Sequence, residues 1–164
     1  MVFELFRIKF NIRPEIRMVP FCQEHDIKLF TYGTLCGGLL SEKYLGKSEP
    51  KAADLTTVSL KKYKNMIDQW GDWGLFQELL LVLKEIANKH QVTIANVAVR
   101  YILDKPAVGG VIIGARLGLS EHVEDNARTF QLNLDTDDLG KIEAISSKSN
   151  DLFRAIGDCG DEYR

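Results

Sequence analysis

Along Phe6, Arg7, Ile8, Lys9, Phe10, Asn11, Ile12 and Arg13 apolar and polar residues alternate, the period of a strand with one apolar face. Pro14 suits the first turn of a helix running to about His25, because proline lacks the N–H that has no partner there. Ile27 to Tyr32, IKLFTY, reads as a compact strand rich in apolar and aromatic residues. Gly33, Gly37 and Gly38 bracket the loop that follows, and Leu39 to Tyr44 is expected to form a short helix ending near Gly46. The segment from Lys47 to Thr57 contains Pro50 and many small or polar residues and reads as an excursion. Three helices come next. The first runs from Ser59 to Trp70 and is ended by Gly71; the second runs from Trp73 to His90. In that second helix Phe76, Leu79, Leu80, Leu83, Ile86 and Ala87 fall three and four apart, so one face is buried. Thr93 can cap the third, with Val97, Ala98, Tyr101 and Ile102 along its inner stripe. Pro106 and the pair Gly109-Gly110 end that helix and lead to a strand at Val111–Ile113. A helix from about Ser120 to Thr129 follows, and the D-x-x-D spacing of Asp135 and Asp138 starts a last one towards Ser147.

The recurring unit is helix, short β-branched strand, glycine-rich turn, helix. That is the logic of βα units, so the strands are expected to be parallel and buried on both faces. Their number is the difficulty. Two strands and one further candidate stand against at least five helices, whereas a closed (β/α)8 TIM barrel takes eight strands and about 250 residues. The expected fold class is therefore α/β, a partial barrel made of its last two or three βα units and a C-terminal helix. Open parallel edges of such a sheet would favour self-association.

With 164 residues, 45% apolar and 27% charged, the chain is long enough for one hydrophobic core. A net charge of −2 with interspersed signs argues against a nucleic-acid groove or a membrane-attracting surface. Apolar runs such as Leu79 to Leu83 are too short to span a bilayer. Met1 to Phe10 contains Glu4 and makes a poor signal peptide. The three cysteines, Cys22, Cys36 and Cys159, lack C-x-x-C spacing and favour a reducing compartment, so the expected location is cytoplasmic. No His/Cys/Asp set has metal-ligand spacing; His25 and His90 instead end helices, where a partly charged imidazole suits the dipole. Trp70 and Trp73 flank Gly71-Asp72 and read as packing at a hinge. Glu78, Lys84, Glu85 and Lys89 read as a solvated face. Cys36 lies in a candidate functional loop, where its oxidation would hinder ligand binding.

Chemistry in α/β proteins gathers at the C-terminal ends of parallel strands. The first such end is Tyr32-Gly33-Thr34-Leu35-Cys36-Gly37-Gly38. An aromatic leaving a strand can lie flat against a ring, and glycines let backbone N–H groups approach a pyrophosphate; a tyrosine in this place serves simple packing about as readily. The second is Ile112-Ile113-Gly114-Ala115-Arg116, leading to Ser120 and Asn126. Gly114 turns without a side chain, Arg116 can grip a phosphate monoester bidentately, and N–H groups at the next helix start favour an anion. Asn126 offers a donor and an acceptor to an adenine edge. The alternative is that Arg116 solvates a loop and Asn126 bridges backbone.

These residues resemble the aldo-keto reductase family, and in particular its C-terminal half. IKLFTYGTLCGGLLSEKYLG is similar to the family's stretch through the penultimate barrel strand and its loop. LKEIANKHQVTIANVAVRYILDKPAVGGVIIGAR is similar to the helix pair and the last strand, EHVEDN to the cofactor-clamp helix, and GDCGDEYR closes a chain that matches almost throughout. The resemblance implies an NADP-dependent oxidoreductase domain acting on a small carbonyl compound, with no part for nucleic acid or membrane. It implies Tyr32 beneath the nicotinamide ring, Gly33 and Leu35 on the pyrophosphate, and Gly114 and Arg116 flanking the 2′-phosphate of NADP. His122, where the family has Gln or Arg, Asp125, where it has Glu, and Asn126 would meet the adenosine. Ile113 replaces a frequent proline, and the run from Gly114 to Asn126 is two residues longer than the commonest pattern. In the family a tyrosine acid, supported by Lys, Asp and His, comes from the first half of the barrel. No residue here matches those positions, so the expectation is a domain without its catalytic half. None of Tyr32, Tyr44, Tyr63, Tyr101 or Tyr163 is assigned the acid role, since a tyrosine pKa of about 10 needs a cation or buried network to fall. The competing expectation is a truncated or splice product that acts, if at all, as a binding module.

Overall fold

In a computed structural model the described residues are 2–3, 18–115, 118 and 122–152. Three strands form one parallel sheet in the order β1 (Val2–Phe3), β2 (Leu29–Tyr32), β3 (Val108–Ile112). Val2 pairs with Phe30 and Phe3 with Thr31; on the other side Phe30 pairs with Gly110, Thr31 with Val111 and Tyr32 with Ile112. Helix α1 (Met18–Glu24) precedes β2. Between β2 and β3 lie α2 (Val58–Trp70), α3 (Trp73–His90) and α4 (Ile94–Leu103); α5 (Val123–Arg128) and α6 (Thr136–Ser146) follow. The alternating segment from Phe6 to Ile12 and the expected helix start at Pro14 lie outside the described residues.

Two local expectations are corrected. Leu39 to Tyr44 forms turns, not a helix. Its backbone closes in turns, with the Tyr44 N–H donating to the Ser41 carbonyl at 3.2 Å and the Leu45 N–H to the Glu42 carbonyl at 3.3 Å, the spacing of β-turns and not of an α-helical ladder. The third strand begins at Val108 rather than Val111 and takes both glycines into the sheet. A Cβ at Gly109 would stand 2.9 Å from Lys28 Cβ, and one at Gly110 3.0 Å from the Phe30 ring. The glycines permit close approach to β2 instead of punctuating the helix before it.

The strands are parallel, as expected, but only one sheet face is covered. Leu29 and Thr31 are fully buried, while Phe30 and Ile112 keep 44% and 46% of their surface exposed. Three strands do not close on themselves, so among the described residues nothing shields the face that carries Phe30. The core lies on the other side. Phe76, Leu79, Leu80, Leu83, Ile86 and Ala87 are all buried along α3, and Val97, Ala98, Tyr101 and Ile102 along α4. Trp70 and Trp73 are both buried; the Trp73 indole N–H donates to the Lys47 carbonyl at 2.8 Å and its ring meets Phe76. The excursion is tied down further by Lys64, a buried amine on α2 that reaches Glu49 at 2.6 Å and Asp68 at 2.5 Å. Burial alone would lower the Lys64 pKa, but hydrogen bonds to Asp68 and Glu49 outweigh it and raise it.

The charges on α3 form a largely exposed face, as expected, and ion pairs join that face to its neighbours. Lys84 reaches Glu42, Glu85 meets Lys141 at 2.7 Å and Glu78 meets Lys148 at 2.6 Å. At the end of α3, Lys89 Nζ lies 2.6 Å from Asp135 and 2.8 Å from Asp138, and His90 Nε2 lies 2.7 Å from Asp138. Asp135 and Asp138 also form the capping box that opens α6. The same two carboxylates therefore start one helix and fasten it to another.

Asp138→Ala should destabilise the fold by about 1–3 kcal/mol, the cost of losing a cap and charge-assisted hydrogen bonds together, measured by urea unfolding. Both carboxyls have pKa values below the ordinary 3.8. Lys89 holds Asp135 at about 2, and at Asp138 the cost of burial is overcome by hydrogen bonds from Lys89 and His90. A depressed folded-state pKa stabilises above the unfolded value and loses that contribution as pH falls through the folded one. Acid unfolding should thus set in between pH about 4 and about 2, and Asp138→Asn should flatten that part of the stability–pH curve.

Candidate functional site

The register of β2 and β3 builds the site. Because the strands are parallel and Tyr32 is the partner of Ile112, both chains leave the sheet at the same end, roughly 4.8 Å apart. The Tyr32–Gly38 loop and the Ile113–Ala115 segment are therefore neighbours, although their first residues are 81 positions apart. Tyr32 is half-buried and, by the alternation along β2, shares the open face with Phe30.

A residue from outside the loop shapes the first strand end. Tyr63, buried on α2, lies directly beneath it: a Cβ at Gly33 would sit 2.5 Å from the Tyr63 hydroxyl oxygen, and one at Gly37 2.8 Å from its ring. With φ values of 77° and 65°, these glycines are demanded by the chain's own backbone and packing. Two of the loop's N–H groups are already spent, since Cys36 donates to Gly33 and Gly38 to Leu35, each at 2.9 Å. Leu35 is half-buried against the core and its carbonyl also accepts from Leu40. Cys36 is only 2% exposed. That overturns the expectation of an oxidation-sensitive loop thiol, because reactivity requires access.

At the second strand end Gly114 is exposed, and a Cβ there would meet nothing within 4 Å. Packing does not demand glycine at this position. Arg116, Ser120 and the expected start of the next helix lie outside the described residues. Helix α5 runs from Val123 to Arg128, with His122 at its cap position, exposed, its carbonyl accepting from the Asn126 N–H at 2.7 Å. Glu124 and Asp125 occupy the first turn, so the helix carries its own negative charges where the dipole favours an anion.

Asp125 is half-buried and turned towards α4. Its Oδ2 accepts from the Thr93 hydroxyl at 3.2 Å and its Oδ1 lies 3.6 Å from Arg128. Asn126, its neighbour, is half-buried as well. The structure thus brings Tyr32, Gly33 and Gly114 together through the sheet, and joins Asp125, the neighbour of Asn126, to the start of α4.

Two residues escape the sequence pattern. Tyr63 reads only as one more apolar position on α2. Asn96 is visible as the third residue after the Thr93 cap, but nothing in that spacing says its amide reaches Asp125 at 2.8 Å and Thr129 at 3.3 Å.

Asp135, Asp137 and Asp138 bring carboxylate oxygens within 4.8 Å of one another. Each is engaged: Asp137 pairs with Lys141 at 2.9 Å, and the other two with Lys89 and the α6 backbone. The cluster is a charged clasp. Among the described residues no helix is long and apolar enough to cross a membrane.

Comparison with known proteins adds lineage to this geometry. Over 95 residues the chain is 34% identical to flagellar radial spoke protein 5 of Chlamydomonas reinhardtii, a stretch covering 57% of this chain and 18% of that protein. It is 29% identical over 129 residues to an aryl-alcohol dehydrogenase of Pestalotiopsis microspora, covering 79% of this chain and 29% of the relative. The glycerol dehydrogenase of Gluconobacter oxydans superposes with a TM-score of 0.60 at 21% identity, covering 92% of this chain and 41% of that structure, which supports the fold alone. The chain thus spans well under half the length of these relatives. The sequence profile of the Aldo/keto reductase family matches residues 3–147, and the chain belongs to that family.

Proposed function

We propose that this chain is the NADP(H)-binding portion of an aldo-keto reductase domain, made of the last βα units of a (β/α)8 barrel and its C-terminal helix. One observation carries the reading: the Tyr32–Ile112 register sets both glycine-bearing strand ends side by side at one end of a parallel sheet. A dinucleotide needs contacts at such neighbouring ends, since its two halves are joined through a pyrophosphate.

In this reading Tyr32 lies beneath the nicotinamide ring on the open sheet face, and Gly33 and Leu35 line the pyrophosphate. The exposed backbone at Gly114 leaves room for a phosphate, Arg116 grips the 2′-phosphate, and His122, Asp125 and Asn126 meet the adenosine. The cofactor would supply the hydride for reduction of a small aldehyde or ketone. The protein's part is orientation and charge neutralisation.

The residues favour binding without turnover. General acid catalysis needs a tyrosine within hydrogen-bond reach of the carbonyl oxygen. Tyr63 and Tyr101 are buried at 6% and 4% exposure, and Tyr63 is committed beneath the Gly33–Gly37 loop.

Titration of the purified chain with NADPH should give saturable enhancement of nicotinamide fluorescence, while aldehyde reduction in the same sample stays at background. Rapid turnover would reject the half-site reading, and absence of binding would reject the cofactor reading. Arg116→Ala should weaken NADPH by about ten- to a hundred-fold, the range for loss of a charge-assisted contact, and leave NADH affinity as it was. An unchanged preference would remove Arg116 from the phosphate role.

A further inference from the structure

Helix α5 presents a mechanical problem. It has six residues, and none of their side chains is buried; Val123, its first residue, is 68% exposed. A helix this short has no stability of its own, and here no apolar face supplies it. Among the described residues, what holds α5 is polar and comes mainly from the start of α4. Asn96, 1% exposed, donates from Nδ2 to the Asp125 carbonyl at 2.8 Å and to the Thr129 hydroxyl at 3.3 Å. Its Oδ1 accepts from the Thr93 N–H at 3.1 Å, and its own N–H donates to the Thr93 hydroxyl oxygen at 3.2 Å. The Thr93 hydroxyl in turn donates to Asp125 Oδ2 at 3.2 Å. At the far end of α5 the Arg128 guanidinium donates to the Gln91 carbonyl.

We infer that Asn96 is a positioning residue: its buried carboxamide latches α5 to the cap of α4 and thereby fixes Asp125 and Asn126 for the adenosine part of the cofactor. The inference rests on the cofactor reading above and extends it to a residue that touches no part of the ligand. A buried amide using both its oxygen and its nitrogen tolerates little displacement, because each lost partner would leave a polar group unpaired. The capping box that starts α4 and the latch that holds α5 are one set of hydrogen bonds, so the clamp is registered to the helix packed against β3.

Asn96→Asp separates the two roles. The carboxylate keeps an acceptor for the Thr93 N–H, so the cap of α4 survives, but it offers no N–H to the Asp125 carbonyl. Thr129→Val is a milder second variant that removes one acceptor of the same amide and keeps the side-chain shape. Hydrogen exchange and cofactor titration are measured on the full chain and both variants. In Asn96→Asp, exchange at the α5 amides should accelerate about tenfold or more with α4 unchanged, and NADPH and NADH should weaken in equal proportion, by about tenfold. Thr129→Val should move both readouts the same way by less. Equal loss for the two cofactors distinguishes a displaced adenosine contact from the phosphate-selective loss expected of Arg116→Ala.

Unchanged exchange in α5 would overturn the latch. Faster exchange with unaltered affinity would overturn the positioning role. If the unsubstituted chain binds neither cofactor, the cofactor reading and the positioning role fall together, while the exchange data still decide whether Asn96 holds α5.

Discussion

The parallel pairing of β2 with β3 is the constraint on which the rest of the structure depends. The strands are joined by about 75 residues that form three helices, and a parallel pair cannot be made with less than a crossover of a dozen or more residues. Once Tyr32 and Ile112 are partners, two loops far apart in sequence must emerge together. The glycines at 109 and 110 serve this pairing directly, since side chains there would strike Lys28 and Phe30. The proposed cofactor site is a consequence of that register, with the helices as its support.

The support is apolar in the middle and polar at the ends. α3 and α4 bury continuous stripes and pack on each other, which anchors them by ordinary burial. α5 and α6 have less to bury, and their placement depends on hydrogen bonds and ion pairs. Asp138 joins α6 to Lys89 and His90, and Asn96 joins α5 to Thr93. In both cases a capping residue doubles as a tether. Helix starts are suited to this, because their unpaired N–H groups already require an acceptor.

One face of the sheet remains uncovered among the described residues. The exposure of Phe30 and Ile112 agrees with membership in a family whose relatives are more than twice as long as this chain. On the cofactor reading, that face is where Tyr32 meets the nicotinamide ring, so the side of the sheet that lacks packing is also the side on which the chemistry would take place.

The sequence by itself determined the elements whose signals are local. The stripe from Phe76 to Ala87 sets α3 from Trp73 to His90, and the Thr93 and Asp135 caps set the starts of α4 and α6, because a repeat of three to four residues and a cap are decided within one or two turns. It also marked both strand ends that carry the candidate site. It misjudged Leu39 to Tyr44, which closes in successive short turns instead of a helical ladder, and the start of β3, where glycine reads as punctuation until a neighbouring strand is present. Only the tertiary structure decided that the α3 charges pair with Glu42, Lys141 and Lys148, that Tyr63 underlies the Gly33 loop, and that Asn96 tethers α5. Each of these joins residues at least 29 positions apart on separate elements. Periodicity shows which face of an element is buried, but the partner that meets it is chosen by packing in three dimensions.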